Sequence, residues 1–260
     1  MGRQPRISDD EHGTRWITID RPEIANALQL EDLDVICDAV STAGPGIRAI
    51  VVTGAGDRSF SAGMHVNTFS AAGPDGGRAV ITKVRDCVGA FRLSPLPTIA
   101  MINGYCLGAA FEMALACDLR AACPEARFGL PEVKLGIPSV VDAALLHHYV
   151  GLSKAREIIL TGDMFSMADL APFGLANRVA GRGQLRAAVD ELLAGLRTLT
   201  PQVVAAQKSL FESWLNTGLQ QSINASVEVF ADLFSDPATA EAIAAYQRRY
   251  RRRGPDGQIP

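Results

Sequence analysis

Apolar residues fall into two textures along this 260-residue chain. In the first three quarters, short runs rich in β-branched and small apolar residues alternate with longer mixed segments. The runs 16–20 (WITID), 47–54 (IRAIVVTG), 97–102 (PTIAMI) and 118–123 (DLRAAC) predict strands buried on at least one face. Helical patterns lie between and after them, at 26–40, roughly 78–92 and roughly 108–117. Strands alternating with helices predict an α/β architecture.

From about residue 183 the pattern becomes helical throughout. The segments 184–199, 201–217, 219–234 and 237–252 predict helices, with Pro201 and Pro237 suited to first-turn positions. The apolar spacing in 223–234 (INASVEVFADLF) follows the helical period. The expected organisation is an α/β core over 1–195 and a helical module over 196–260. No internal repeat is visible in the sequence.

Composition narrows the function classes. With 48% hydrophobic residues the chain can bury a large core, and a net charge of −3 argues against nucleic acid or membrane as the main partner. Leu93 to Phe111 carries no charge and is long enough to test as a membrane span. Pro95, Pro97, Asn103 and Gly104 interrupt it and Glu112 ends it, so strand, turn and helix are expected instead. The N-terminal stretch lacks the apolar core of a signal peptide. Five scattered cysteines without a CxxC pair fit reduced thiols, and a cytoplasmic location is expected. Residues 248–253 (RRYRRR) read as a solvated terminus or as a patch that meets phosphate.

The candidates for chemistry are few. His12, His65, His147 and His148 show no metal-ligand spacing, and no Gly-x-Ser-x-Gly elbow or GK[ST] loop is present. Gly54 and Gly56 follow a predicted strand, but Ser59 stands where a dinucleotide fingerprint needs its third glycine. Two carboxylates remain. Glu112 is the one charge in 109–117 (AAFEMALAC), and Glu132 is flanked by Leu130, Pro131, Val133, Leu135 and Ile137. Burying either in ionised form costs several kcal/mol unless it is paired. Burial also raises the proton affinity of a carboxylate and suits it to acid–base work near neutral pH. Spacing alone leaves plainer readings open. Glu112 could point outward from an edge helix, and Glu132 could pair with Lys134 or act as a cap. The two are 20 positions apart and nothing local joins them.

The stretch 97–138 (PTIAMINGYCLGAAFEMALACDLRAACPEARFGLPEVKLGIP) resembles the enoyl-CoA hydratase/isomerase (crotonase) superfamily. The resemblance extends to 21–28 (RPEIANAL), 59–66 (SFSAGMHV), 160–166 (LTGDMFS) and 174–179 (GLANRV), in the family's order. It implies a crotonase-like spiral of ββα units with a C-terminal helical trimerisation module. It implies an acyl-CoA thioester substrate, with CoA part of the substrate and no separate cofactor. The backbone N–H groups matching Met64 and Ala109 would form the oxyanion hole, and Gly63 and Gly108 would let the backbone approach the ligand. Glu112 and Glu132 match the hydratases' two glutamates. One division has Glu112 orient and deprotonate water while Glu132 protonates the α-carbon, although coupled titration blurs that split. Substrate contacts would come from Ile24, Ala25, Ala62, Met64, His65, Val66, Asn67, Gly108 and Ala109. A neighbouring subunit's 246–253 would approach the nucleotide phosphates. A homotrimer or a dimer of trimers is implied, with no nucleic acid or membrane partner.

The chain departs from the family pattern in three places. His65 replaces a usual aspartate and is expected to face solvent. Ala109 and Ala110 replace two common glycines and would narrow the space near the thioester. Residues 136–151 lack the common Gly-Gly-Thr-Gln-Arg-Leu segment; there Ser139-x-x-Asp142 matches a capping box, favoured here over a third catalytic acid. The leading expectation is a 2-enoyl-CoA hydratase, a hydro-lyase of the β-oxidation type. A double-bond isomerase or CoA-ester hydrolase is the alternative. An RNA-binding role rests only on the arginine tail, and a non-catalytic subunit is disfavoured by both glutamates.

Overall fold

The computed structural model describes residues 3–69 and 73–252, the last four by backbone alone. The chain divides into two compact units, one ending at Ala194 and one beginning at Gly195.

The first unit opens with β1 (Arg6–Asp9) antiparallel to β2 (Thr14–Ile19), followed by α1 (Leu30–Ser41). A strand–strand–helix unit then repeats. It comprises β3 (Ala49–Gly54), β4 (Ser59–Ser61) and α2 (Gly73–Leu93), then β5 (Thr98–Ile102), β6 (Tyr105–Leu107) and α3 (Ala109–Ala116). The third turn has β7 (Leu119–Ala122), β8 (Arg127–Gly129) and α4 (Leu146–Thr161). The unit ends with β9 (Phe165–Ser166), α5 (Met167–Leu170), β10 (Arg178–Val179) and the start of α6 (Leu185–Leu196).

First strands of each repeat join one sheet, ordered β1-β2-β3-β5-β7-β10, parallel from β2 onward. Second strands join another, β4-β6-β8-β9, parallel except at β9. The chain thus spirals through ββα units, a repetition of structure that leaves no repeat in the sequence. All six residues of β3 are buried, as expected of a central parallel strand covered on both faces. Every residue of α3 is buried as well, which fits a composition that is apolar at every position except Glu112.

The helix expected over 26–40 begins only at Leu30. Residues Pro22–Ile24 form a 3₁₀ turn, and Ala25 and Asn26 then take left-handed backbone conformations. Asn26 accounts for the detour. Its Nδ2 donates to Ala55 O at 2.9 Å and Ser59 O at 2.8 Å, and its Oδ1 accepts Arg21 N–H at 2.9 Å. Buried Arg21 also donates to buried Asp32 on α1.

In the second unit, α7 (Pro201–Asn216), α8 (Leu219–Asp232) and α9 (Pro237–Arg252) follow the end of α6. Pro201 and Pro237 are first residues of their helices, as expected. Phe230 and Phe234 pack ring against ring, centroids 5.2 Å apart, yet both are largely exposed. No described helix is long and apolar enough to cross a membrane.

Candidate active site

The carboxyl ends of three neighbouring parallel strands build the site. β4 runs into Ala62, Gly63 and Met64; β6 runs into Gly108 and α3; β8 runs into the 3₁₀ turn Pro131–Leu135. Ligand sites in parallel α/β sheets form at such strand ends. The pairing of β6 with β8 is what brings Glu112 and Glu132 onto one cavity of about 240 Å³. Its walls include Ala62, Met64, Val66, Gly108 and Ala109, closed by apolar Phe69, Ile81, Val84, Ile137 and Val140.

Two glycines allow the close approach. Gly63 has φ +84°, and a Cβ there would lie 2.6 Å from Leu107 O and 3.3 Å from Ala109 N. Gly108 has φ +54°, and a Cβ there would lie 2.8 Å from Glu132 Oε1. The N–H groups of Met64 and Ala109, one after each glycine, donate to no acceptor among the described residues, although those of Gly63, His65 and Gly108 beside them do. Leu28 N donates to Gly63 O and His65 N to Leu28 O, both at 2.8 Å, so the strand-like bridge around Met64 passes over its own N–H. Ala109 begins α3, where helical geometry leaves the first N–H groups without intrahelical acceptors and the helix dipole favours negative charge.

Glu112 is 3% exposed, so it does not point outward. Its Oε2 accepts no hydrogen bond from the described residues. Burial, and then the charges of Glu132 and Asp142, hold its carboxyl well above the ordinary carboxylate range. The nearest following cation in sequence, Arg120, is committed elsewhere. It donates to Leu175 O, Ala114 O and Cys117 O and lies over the Tyr149 ring.

Glu132 is half-buried, and Lys134 is not its partner. Lys134 donates to Asp163 Oδ1 at 2.6 Å, whereas Glu132 Oε2 accepts the Ser139 hydroxyl at 2.8 Å. The capping box expected at Ser139-x-x-Asp142 does not form. The 3₁₀ helix Val141–Leu145 begins without a side-chain cap, because Ser139 turns to Glu132 and Asp142 to Arg92. Asp142 is buried, and Arg92 Nε donates to its Oδ1 at 3.0 Å. Sequence reasoning missed Ser139 and Arg92 as members of this neighbourhood; the serine was absorbed into a helix-start pattern.

The other expected contacts divide. Ile24, Ala25, His65 and Asn67 do not line the cavity. Ala25 O accepts Ala62 N–H at 2.9 Å, which ties its loop to the cavity rim. His65, expected to face solvent, is half-buried, and its Nδ1 accepts Asn67 N–H at 3.3 Å. Asn67 lines a separate depression with Thr68, Val80 and Lys83. Ala109 lines the cavity, while Ala110 is fully buried behind it and does not. Of the arginine-rich tail, residue 253 lies outside the described residues and the side chains of 249–252 are not described. Among the described residues no three His, Cys, Asp or Glu side chains gather as metal ligands.

The sequence pattern of the family described as Enoyl-CoA hydratase/isomerase matches residues 9–253. A putative enoyl-CoA hydratase/isomerase of Bacillus subtilis, YngF, is 30% identical over 90% of this chain and 92% of its own length. A short-chain-enoyl-CoA hydratase of Clostridium acetobutylicum is 28% identical, over 92% and 93%. The crystal structure of an enoyl-CoA hydratase from Mycobacterium smegmatis superposes with a TM-score of 0.90 at 25% identity, covering 95% of this chain and 97% of that one.

Proposed function

The chain belongs to the enoyl-CoA hydratase/isomerase family of the crotonase superfamily, and we propose that within it the chain is a hydratase adding water across the 2,3 double bond of a 2-enoyl-CoA thioester. The observation that carries this reading is the convergence of two glutamates on one small apolar cavity that also holds the acceptor-free N–H groups of Met64 and Ala109.

In this reading the thioester oxygen lies between the Met64 and Ala109 N–H groups. Conjugation passes charge from the double bond to that oxygen, so donors placed there stabilise the transition state more than the ground state. The glutamates enter with one proton between them. Burial favours Glu112 as its resting place. The charged member takes a proton from water as the water oxygen bonds to C3. The π electrons move toward the thioester oxygen, and the protonated member delivers its proton to C2. Water is consumed whole, and the pair again holds one proton and one charge. No cofactor takes part, since CoA is a portion of the substrate.

The CoA portion would leave past Val66 toward the Ile24–Ala25 loop, His65 and Asn67. We assign the exposed aromatics of the second unit, Phe211, Trp214, Phe230 and Phe234, to contacts within a homotrimer or a dimer of trimers. The cysteines remain thiols, in keeping with a cytoplasmic enzyme.

The test follows the absorbance of crotonyl-CoA and longer 2-enoyl-CoA thioesters with the native chain, Glu112→Gln and Glu132→Gln. Hydration lost in both variants supports the reading. Loss confined to Glu132→Gln, together with turnover of a 3-enoyl-CoA, would make the enzyme an isomerase.

A further inference from the structure

Glu132 is carried by a five-residue 3₁₀ turn, Pro131–Leu135, and not by a longer helix such as α3. A carboxyl on so short an element takes its orientation from its neighbours. The cation on its own turn, Lys134, is held by Asp163. Among the described residues, the hydrogen bond to the Glu132 side chain comes from Ser139, whose Oγ lies 2.8 Å from Oε2. The other oxygen, Oε1, faces Gly108 so closely that a methyl group there would stand 2.8 Å from it. Gly108 immediately precedes Ala109 and its acceptor-free N–H. One oxygen is therefore held by the serine, and the other lies beside the turn that carries the donor.

Ser139 sits in a segment that is fixed on its C-terminal side. Pro138 and Val140 on either side of it line the cavity. Val141 follows with φ +53°, a conformation seldom taken by a β-branched residue. Such a conformation persists where the surroundings over-determine it, and buried Asp142, tied to Arg92 on α2, supplies the anchor.

We propose that Ser139 is a positioning residue for Glu132: its hydroxyl fixes the carboxyl so that Oε1 is presented to the reacting carbons. This inference rests on the hydratase reading above. A hydroxyl that locks the plane of a catalytic carboxyl acts on the geometry of proton transfer, where small misplacements are expensive, and leaves thioester binding to other groups.

The test compares the purified full-length chain with Ser139→Ala, Ser139→Val and Ser139→Thr in steady-state hydration of a 2-enoyl-CoA thioester. Alanine and valine should lower kcat about tenfold or more with KM changed less than about twofold, as expected when an aligning contact is lost and binding is kept. Threonine keeps the hydroxyl and should retain most of kcat, although it has the shape of valine. Melting temperatures of all three should stay close to the native value. Native kcat in Ser139→Ala, or equal loss in threonine and valine, overturns the inference while leaving the hydratase reading intact. A native chain inactive on every 2-enoyl-CoA tried overturns that reading, and this inference with it.

Discussion

Arg92 on α2 donates its Nε–H to Asp142 Oδ1 at 3.0 Å and so holds a third carboxyl, beside Glu132, within electrostatic reach of Glu112. Asp142→Asn keeps an acceptor for Arg92 and removes the charge. The Glu112 carboxyl should then lose part of its upward displacement. Since the protonated acid is the species lost on the alkaline side, the alkaline limb of kcat/KM should move to lower pH. An unmoved limb in the Asp142→Asn profile would show that this carboxyl does not act on the pair.

Glu112 also links pH to stability. Its folded-state proton affinity is raised above the ordinary carboxylate value of 4.5, chiefly by burial. As pH rises above that ordinary value, the unfolded chain loses this proton while the folded chain keeps it. Stability therefore declines as pH climbs from there toward the raised value, by up to about 1.4 kcal/mol per pH unit from this group. Glu112→Gln has no proton to lose. Urea unfolding of both proteins at about pH 5 and about pH 8 should show the variant gaining on the native chain at the higher pH. A pH-independent difference would contradict a buried, proton-retaining Glu112.

Gly108→Ala and Gly63→Ala should fail differently. A Cβ at Gly108 meets Glu132 Oε1, a movable side-chain atom, whereas a Cβ at Gly63 meets Leu107 O, a fixed backbone atom 2.6 Å away. Both residues hold positive φ, which costs about 1–3 kcal/mol with a side chain present. Gly108→Ala should fold and lose at least about tenfold in kcat/KM by displacing the Glu132 carboxyl. Gly63→Ala should show the greater drop in melting temperature. Equal activity in Gly108→Ala and the native chain would place Oε1 elsewhere during turnover.

Asn26→Ala tests the loop beneath the rim. The substitution removes two donated bonds and one accepted bond from a fully buried side chain, at a residue with φ +56°. Leaving buried backbone groups without partners should cost about 2–4 kcal/mol, read from denaturant midpoints. Because this loop meets Ala62 through Ala25, KM for the thioester should rise as well.

The sequence was legible where an element is long enough to show a period. Helices α7 to α9 and strand β3 lie close to where the hydrophobic pattern puts them. The strands that build the site are invisible to that reading, because β4, β6 and β8 have three residues each and a period needs more. Their pairing, and not the 20-residue separation of Glu112 and Glu132, is what unites the two acids on one cavity. Ser139-x-x-Asp142 was misread because a serine and an aspartate three apart suit a helix start as well as two unrelated partners. Only the tertiary neighbours Glu132 and Arg92 decide between those uses. The start of α1 was misplaced for a similar reason. Asn26 contributes more by bridging distant carbonyls than a helix could offer it.

Met64 and Ala109 follow adjacent parallel strands, so a ladder of main-chain hydrogen bonds meters the gap between their two donors. Neighbouring strands stand about 4.8 Å apart whatever side chains they carry. The apolar walls, drawn from α2 and the loops around Ile137 and Val140, lie outside that ladder. In the proposed hydratase, mutation could therefore reshape the room given to a hydrocarbon tail while the spacing of the two donors offered to the carbonyl stays in calibration. A catalyst built this way can change its diet without relearning its chemistry.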